Sequence, residues 1–273
     1  MTKTWFITGT SRGFGRVWTE AALGRGDRVV ATARDASTLD DLVAQHGDQV
    51  LPLPLDITDR KAVFAAVQRG ASHFGDIDVL VHNAGFGSMG TIEEISETQA
   101  REQFDTNVFG ALSVLQAIAP IMREQGHGHI VAVSSQLGLV SLPTAALYAA
   151  SKWALEGLAQ GFAGEMAPFG VHVTLIEPAG YKTGFYDPDT LVVAPRMSAY
   201  ADVHDGLDQL MSTVEWGVPA ATSGAILALV DSDQPPLRLI LGRGPREWIS
   251  GDYAGRLAEF DAWHEVSEAA FGA

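Results

Sequence analysis

Thr8-Gly9-Thr10-Ser11-Arg12-Gly13-Phe14-Gly15 follows the apolar run Trp5-Phe6-Ile7 and precedes a segment of helical period. Glycines at 9, 13 and 15 let a chain leave a buried strand, turn sharply and start a helix at once. A helix starting there presents free N–H groups and the positive end of its dipole to an anion. The spacing is not G-x-G-x-x-G, and such a turn serves equally as a plain strand–helix connection. What lies around it decides between the two.

Short apolar runs recur at 29–31, 50–53, 77–81, 130–133, 171–176 and 237–241. With 5–8 they make seven strands. They are apolar throughout rather than alternating, as strands covered on both faces are. Helices are expected between them at 13–24, 37–45, 59–72, 96–125, 147–166 and 220–230. Asp59 caps one, Gly47 and Gly75 stop two, and Pro120 bends the longest. This alternation predicts an α/β, Rossmann-type doubly wound seven-stranded parallel sheet with helices on both faces. The chain reads as a single domain over 1–273. Pro188, Pro195, Pro219, Pro235 and Pro236 cluster late, so 184–218 reads as an irregular or partly helical lid over the substrate. The stretch 246–273 reads as a closing helical extension. Its Trp248, Leu257, Phe260, Trp263, Val266 and Phe271 are expected in core or subunit contacts.

The second strand ends in Ala33-Arg34-Asp35, where the adenosine ribose of a dinucleotide would lie. An acid there would bond the ribose hydroxyls. Arg34 and Arg12 instead suit a 2′-phosphate, which predicts NADP(H) over NAD(H). Two solvated arginines, with Arg34 paired to Asp35, are the plainer alternative. Further on, Tyr148-Ala149-Ala150-Ser151-Lys152 opens a helix, so Tyr148 and Lys152 face the same way. A free phenol, pKa ~10, is a poor base at neutral pH, and a neighbouring ammonium favours the phenolate. Ser134 and Ser135 end the fifth strand at the edge where such sheets bind ligands. Read blandly, these are an interface Tyr, a solvated Lys and strand-end serines.

Together these segments resemble the classical short-chain dehydrogenase/reductase family over about residues 4–245. Thr8–Gly15 is similar to its T-G-x-x-x-G-x-G loop, and Asn83-Ala84-Gly85 to its N-A-G motif. Asp56 in Leu55-Asp56-Ile57-Thr58 resembles its adenine-side acid. Asn107, Ser135, Tyr148 and Lys152 resemble its tetrad, with Ser135 thirteen residues before Tyr148. The resemblance implies that Tyr148 moves the proton, Ser135 positions the carbonyl, and Lys152 bonds the nicotinamide ribose and acidifies Tyr148. It implies that Asn107 holds a water in a proton path; from the local sequence alone, Asn107 is a helix-kink residue. The implied cofactor-binding set is Gly9, Ser11, Arg12, Gly13, Phe14, Gly15, Arg34, Asp56, Ile57, Asn83, Ala84, Gly85, Tyr148, Lys152, Pro178, Gly180 and Thr183. One motif departs: Glu177-Pro178-Ala179-Gly180-Tyr181-Lys182-Thr183 has Ala179 where the family has its first Gly. The 136–158 region resembles the branch holding 17β-hydroxysteroid and retinol dehydrogenases, which implies an apolar or bulky carbonyl substrate.

Composition narrows the rest. A formal net charge of -15 with no basic run excludes nucleic acid as a main partner. The absence of cysteine removes disulfides, thiolate metal sites and cysteine nucleophiles, and fits a cytoplasmic location. The N-terminal segment lacks the features of a signal peptide, and no long apolar run predicts a membrane span. No metal is expected: His127 and His129 read as solvated turn residues, and Glu93-Glu94 and Asp40-Asp41 as solvated helix faces. The functional expectation is hydride transfer between NADP(H) and a small-molecule carbonyl or secondary alcohol, in a homodimer or homotetramer. A non-catalytic NADP(H) sensor and an epimerase or dehydratase on the same scaffold are the alternatives.

Overall fold

The computed structural model describes residues 2–187 and 190–272, so the expected loop residue Pro188 lies outside the described residues. The strands are β1 (Thr4–Thr8), β2 (Arg28–Ala33), β3 (Val50–Pro54), β4 (Val79–His82), β5 (Gly87–Met89), β6 (Gly128–Val133), β7 (Val171–Pro178), β8 (Leu191–Val193) and β9 (Arg238–Leu241). Seven of them form one sheet in the order β3-β2-β1-β4-β6-β7-β9. All its neighbours are parallel. β5 and β8 pair separately and were not expected; at three residues each they are too short to leave a periodic signal.

The helices are α1 (Gly13–Gly24), α2 (Asp40–His46), α3 (Arg60–Phe74), α4 (Glu97–Phe104), α5 (Ala111–Gln125), α6 (Ala146–Met166), α7 (Ala201–Ser212), α8 (Ser223–Val230), α9 (Pro245–Ala262) and α10 (His264–Ala269). Alternate residues of each strand enter opposite cores. Phe6, Val30, Leu80 and Ile130 pack with Val63, Ile118 and Leu155 of α3, α5 and α6. Trp5, Ile7, Val29 and Val81 pack with Trp18, Leu42 and Ile226 of α1, α2 and α8. This is why the strands read as apolar throughout. The chain order reverses between β1 and β4, so the loops after those two strands part and open a crevice.

Local signals act as their chemistry requires. Asp59 caps α3 by accepting from Lys61 N and Ala62 N, and Gly75 ends it at φ +91°. The expected 96–125 helix is interrupted, but not at Pro120, which sits inside α5. The interruption is a π-helical turn at Asp105–Gly110. There a Cβ on Gly110 would lie 3.0 Å from Ile57 Cδ1. By length and composition Glu97–Gln125 could cross a membrane, yet half of its apolar window is buried inside the fold.

Two readings need correction. His129 is not a solvated turn residue: β6 begins at Gly128, and His129 is buried with its Nε2 2.9 Å from Thr174 Oγ1. Glu94 is not on a solvated face. It is buried and accepts from Thr91 N, Met197 N and His204 Nε2, which hold it ionised against the cost of burial. The region expected as a lid is thereby tied to the loop before α4. The extension is helical as expected; of the two places expected for its apolar side chains, Leu257, Phe260, Trp263, Val266 and Phe271 are not in the core but exposed. Its first turns pack through Trp248 and Ile249 against Leu139 and Val140, and Arg256 further along donates to Leu139 O and lies over the Trp153 ring.

Burial holds the His129 pKa down at about 4 and that of His82 at about 3. At these two histidines the unfolded chain therefore binds more protons than the native one below about pH 6.5, and their contribution to stability falls as pH drops from there toward 4. His129→Gln should remove up to about half of this histidine contribution in denaturant titrations between pH 6.5 and 4, leaving the part due to His82.

Candidate active site

Thr8 ends β1 and Asn83 follows β4, and these two residues join the sheet's switch point. The Thr8 hydroxyl accepts from Asn83 N (2.9 Å) and Ala84 N (3.0 Å). The Asn83 amide returns two bonds, to Thr8 O and Gly9 O, each 3.0 Å. Asn83 thus holds the glycine loop in place as well as bordering the cleft. Gly9 and Gly13 take positive φ, +71° and +61°. A Cβ on Gly15 would lie 2.2 Å from Gly9 O, and one on Gly13 would lie 2.9 Å from Thr183 O. These glycines are required by contact with backbone atoms that cannot yield. No side chain caps the N-terminus of α1. Its first N–H groups therefore remain available to an anion in the cleft.

A cleft of about 680 Å³ opens above this loop. It is bordered by Gly9, Ser11, Arg12, Gly13, Phe14, Arg34, Asp56, Ile57, Asn83, Ala84, Gly85, Ser135, Tyr148, Pro178, Gly180 and Thr183, so the tertiary fold brings these expected site residues to one place. Gly15 lies beneath the loop instead, and Asn107 and Lys152 stand behind the cleft wall rather than on it. Asp35 does not pair with Arg34. It accepts from Ser37 N (3.0 Å) and Ser37 Oγ (2.8 Å), capping the next turn. Among the described residues neither Arg12 nor Arg34 has an ion-pair partner. Asp56 accepts from Thr58 N and Oγ1 at 2.9 and 2.7 Å.

The end of the cleft that holds Ser135 and Tyr148 is built on β6 and α6. Ser135 Oγ accepts from Leu137 N (3.1 Å), which leaves its own proton to donate. Tyr148 and Lys152 are 8% and 6% exposed, with Lys152 Nζ 5.8 Å from the phenol ring centre. Lys152 Nζ donates to Val133 O at 2.8 Å. Burial pushes the Tyr148 phenol up, the Ser135 hydroxyl opposes this, and Tyr186 adds to it. Burial pulls Lys152 down to about 8, opposed by Glu156. Among the protein's own groups, burial outweighs the Ser135 hydrogen bond, so the phenol stays above its ordinary value.

Asn107 sits in the π-helical turn behind the cleft wall. Its Oδ1 accepts from Phe86 N (3.2 Å), and its Nδ2 donates to Phe86 O (2.9 Å) and Ser151 Oγ (3.1 Å). The side chain fastens the 83–87 loop to α6, a task the sequence reading did not give it. The Ala179 substitution is accommodated by Gly242. A Cβ on Gly242 would lie 2.6 Å from that of Ala179, so one missing methyl makes room for the other. Ala179 N still bonds Leu241 O at 2.8 Å and keeps the turn.

Aromatic residues missed by the sequence reading complete the cleft. Phe185 packs on Tyr148 (5.3 Å between ring centres), Tyr186 on Phe185 (5.3 Å) and Trp216 on Tyr186 (4.7 Å). Phe86, Leu137 and Val192 add apolar surface. The available signal was Phe185-Tyr186, two aromatics immediately after Thr183-Gly184.

With this geometry in place, known proteins can be compared. The family profile described as short chain dehydrogenase matches residues 3–190. The oxidoreductase BOA17 of Botryotinia fuckeliana is 37% identical over 98% of both chains. Human 17-beta-hydroxysteroid dehydrogenase type 1 is 38% identical over 66% of this chain and 57% of its own. A short-chain dehydrogenase from Streptomyces avermitilis superposes with a TM-score of 0.92 at 36% identity, covering 98% of each chain. Two more distant structures carry different dinucleotides. One, from Burkholderia cenocepacia with NADP, is 27% identical at a TM-score of 0.75, covering 96% of this chain and 97% of that one. The other, from Burkholderia phymatum with NAD, is 26% identical at 0.76, covering 88% of each.

The 2.2 Å approach at Gly15 sets a test. Gly15→Ala should displace the loop and lower dinucleotide affinity at least about tenfold, roughly 1.4 kcal/mol. Fluorescence titration with NADPH and NADH measures it.

Proposed function

This chain belongs to the short-chain dehydrogenase family of oxidoreductases, and from that premise we propose that it transfers hydride between NADP(H) and an apolar carbonyl or secondary alcohol, with Tyr148 as general acid and base. The observation that carries the reading is the burial of Tyr148 and Lys152 side by side at the mouth of the sheet, next to Ser135. The cleft fits a dinucleotide. It joins an uncapped helix N-terminus, a glycine loop with no room for side chains, and two arginines without ion-pair partners among the described residues.

When bound, the nicotinamide supplies or accepts the hydride. Ser135 donates a hydrogen bond to the substrate oxygen and holds it beside the phenol. Tyr148, protonated at neutral pH because burial raises its pKa, gives its proton to the oxygen as a carbonyl is reduced. Alcohol oxidation needs the phenolate and so gains from rising pH. Lys152 places a positive charge beside the phenol, and its bond to Val133 O fixes where that charge sits. Phe185 and Tyr186 exclude water and face the substrate with apolar surface, which favours a bulky, uncharged ketone over a small hydrophilic one.

NADP(H) is preferred because Arg12 and Arg34 border the cleft where a 2′-phosphate would lie, while Asp35 is engaged with Ser37. Self-association through α5 and α6 belongs to the same reading; Phe109, just before α5, and Phe169, just after α6, are exposed.

Tyr148→Phe should lower NADPH-dependent ketone reduction by at least about a thousandfold while leaving NADPH affinity within a few fold. Near-native turnover, or no NADPH oxidation by the unmutated protein on any of a panel of apolar ketones, would overturn the assignment. The unmutated protein should bind NADPH more tightly than NADH, and Arg34→Asp should weaken NADPH binding by about 10–100-fold, the range for a lost charge-assisted bond. Calorimetric titration of both dinucleotides checks the order.

A further inference from the structure

One turn of α6 beyond Lys152, on the same face, lies Glu156, 6% exposed. Its Oε2 accepts from Arg238 Nε at 3.0 Å, and its Oε1 has no hydrogen-bond partner among the described residues. On the neighbouring strand β7, Glu177 is 0% exposed, and among the described residues neither of its oxygens has a hydrogen-bond partner. The same Arg238 Nε stands 3.4 Å from Glu177 Oε1. Ser134, next to Ser135, is buried beside Gly138, where Ser134 Oγ and Glu156 Oε1 lie 2.4 and 3.2 Å from the position a Cβ would occupy. Two enclosed carboxyl groups thus share one guanidinium directly behind the Tyr148–Lys152 pair. The mechanism above gives neither a task.

We propose that Glu156 is a positioning residue for Tyr148 and Lys152: fixed by Arg238, its carboxylate keeps the buried Lys152 ammonium charged, while Glu177 holds a proton at neutral pH. The proposal rests on the reading of Tyr148 and Lys152 given above.

Two buried carboxylates beside one cation cannot both ionise at low cost. Burial raises the pKa of Glu156 as well, opposed by Ser134, Arg238 and Lys152; Glu156 is the one that ionises because it takes the shorter Arg238 contact, 3.0 against 3.4 Å, one helical turn from Lys152. Glu177 keeps the proton because it is fully enclosed and accepts no hydrogen bond. Burial pushes Glu177 up to about 8, Glu156 adds to this, and Arg238 opposes. Glu156 raises the pKa of Lys152 against the pull of burial. The other groups around the cluster are Gln160 on α6, which accepts from Arg238 Nη2, and Asp252, Tyr253 and Arg256 on α9. Arg256 is paired with Asp252, so Arg238 remains the cation serving both glutamates. His82, buried near Lys152, is held neutral. An ammonium stripped of Glu156 would lose its proton more readily, and the phenol beside it would then hold its own more tightly. Alcohol oxidation, which needs the phenolate, reports that change.

In Glu156→Gln the acidic limb of kcat/KM for alcohol oxidation should move up by about one pH unit, an activity loss of about tenfold at pH 7. Glu156→Asp, which keeps the charge, should recover most of it. A Gln profile that superimposes on the unmutated one or moves to lower pH overturns the proposal. So does an Asp variant that folds yet behaves like Gln. A second arm needs no turnover and stands apart from the assignment of Tyr148. Infrared difference spectra of the cofactor-free protein should show a protonated carboxylic acid carbonyl band that vanishes as pH rises through about 8 and is missing in Glu177→Gln. The Glu177 contribution to stability should fall as pH rises from about 4.5 to 8 because the native state binds the extra proton there, and Glu177→Gln should remove that contribution from the pH profile. Absence of the band, or its persistence in Glu177→Gln, overturns the proposal even if the kinetic arm cannot be read.

Discussion

Position 15 can hold nothing larger than hydrogen. A Cβ there would lie 2.2 Å from the Gly9 carbonyl oxygen and 2.6 Å from Asn83 Nδ2. That contact lets α1 begin directly above the end of β1 and close against the loop that follows β4. The two loops flank the point where the sheet reverses its order, so their spacing sets the width of the crevice. Asn83 then fastens them together with both protons of its amide. Any side chain at 15 would push the helix away, undo those bonds and move the anion-facing N–H groups out of register with the cleft.

On the other side of the crevice the governing quantity is desolvation. Tyr148 and Lys152 are both buried, and burial moves their affinities for protons apart: the phenol up, the ammonium down to about 8. The same low-polarity surroundings make every neighbouring charge count for more. Val133 O, Ser135 and the Glu156–Arg238–Glu177 cluster are therefore not incidental. They are the groups able to set which proton stays where.

The segment after β7 joins the rest of the fold through two kinds of contact. Glu94, buried and ionised, accepts from Met197 N and His204 of that segment. Phe185, Tyr186 and Trp216 pack in series, tilted or edge to face, toward Tyr148. The polar anchor holds the outer part of the segment while the aromatic series packs against the phenol. The apolar side chains of the extension behave differently. From Leu257 onward they face outward, so that stretch contributes little to the core that shapes the cleft.

Strand and helix positions were legible because core strands and amphipathic helices have distinct periods, and Gly9, Gly13, Tyr148 and Lys152 because their spacing is local. What lay beyond the sequence depends on atoms far apart in the chain. Nothing near Ala179 announces that Gly242 will make room for its methyl, and nothing near Glu94 announces His204. The side chain of Asn107 is spent on Phe86 and Ser151, a commitment visible only once β4 and α6 are side by side. Residue order alone determined the fold class and the candidate proton-transfer pair. Burial is a sum over all surrounding atoms, so only the tertiary structure decided how those groups are charged and which neighbours tune them.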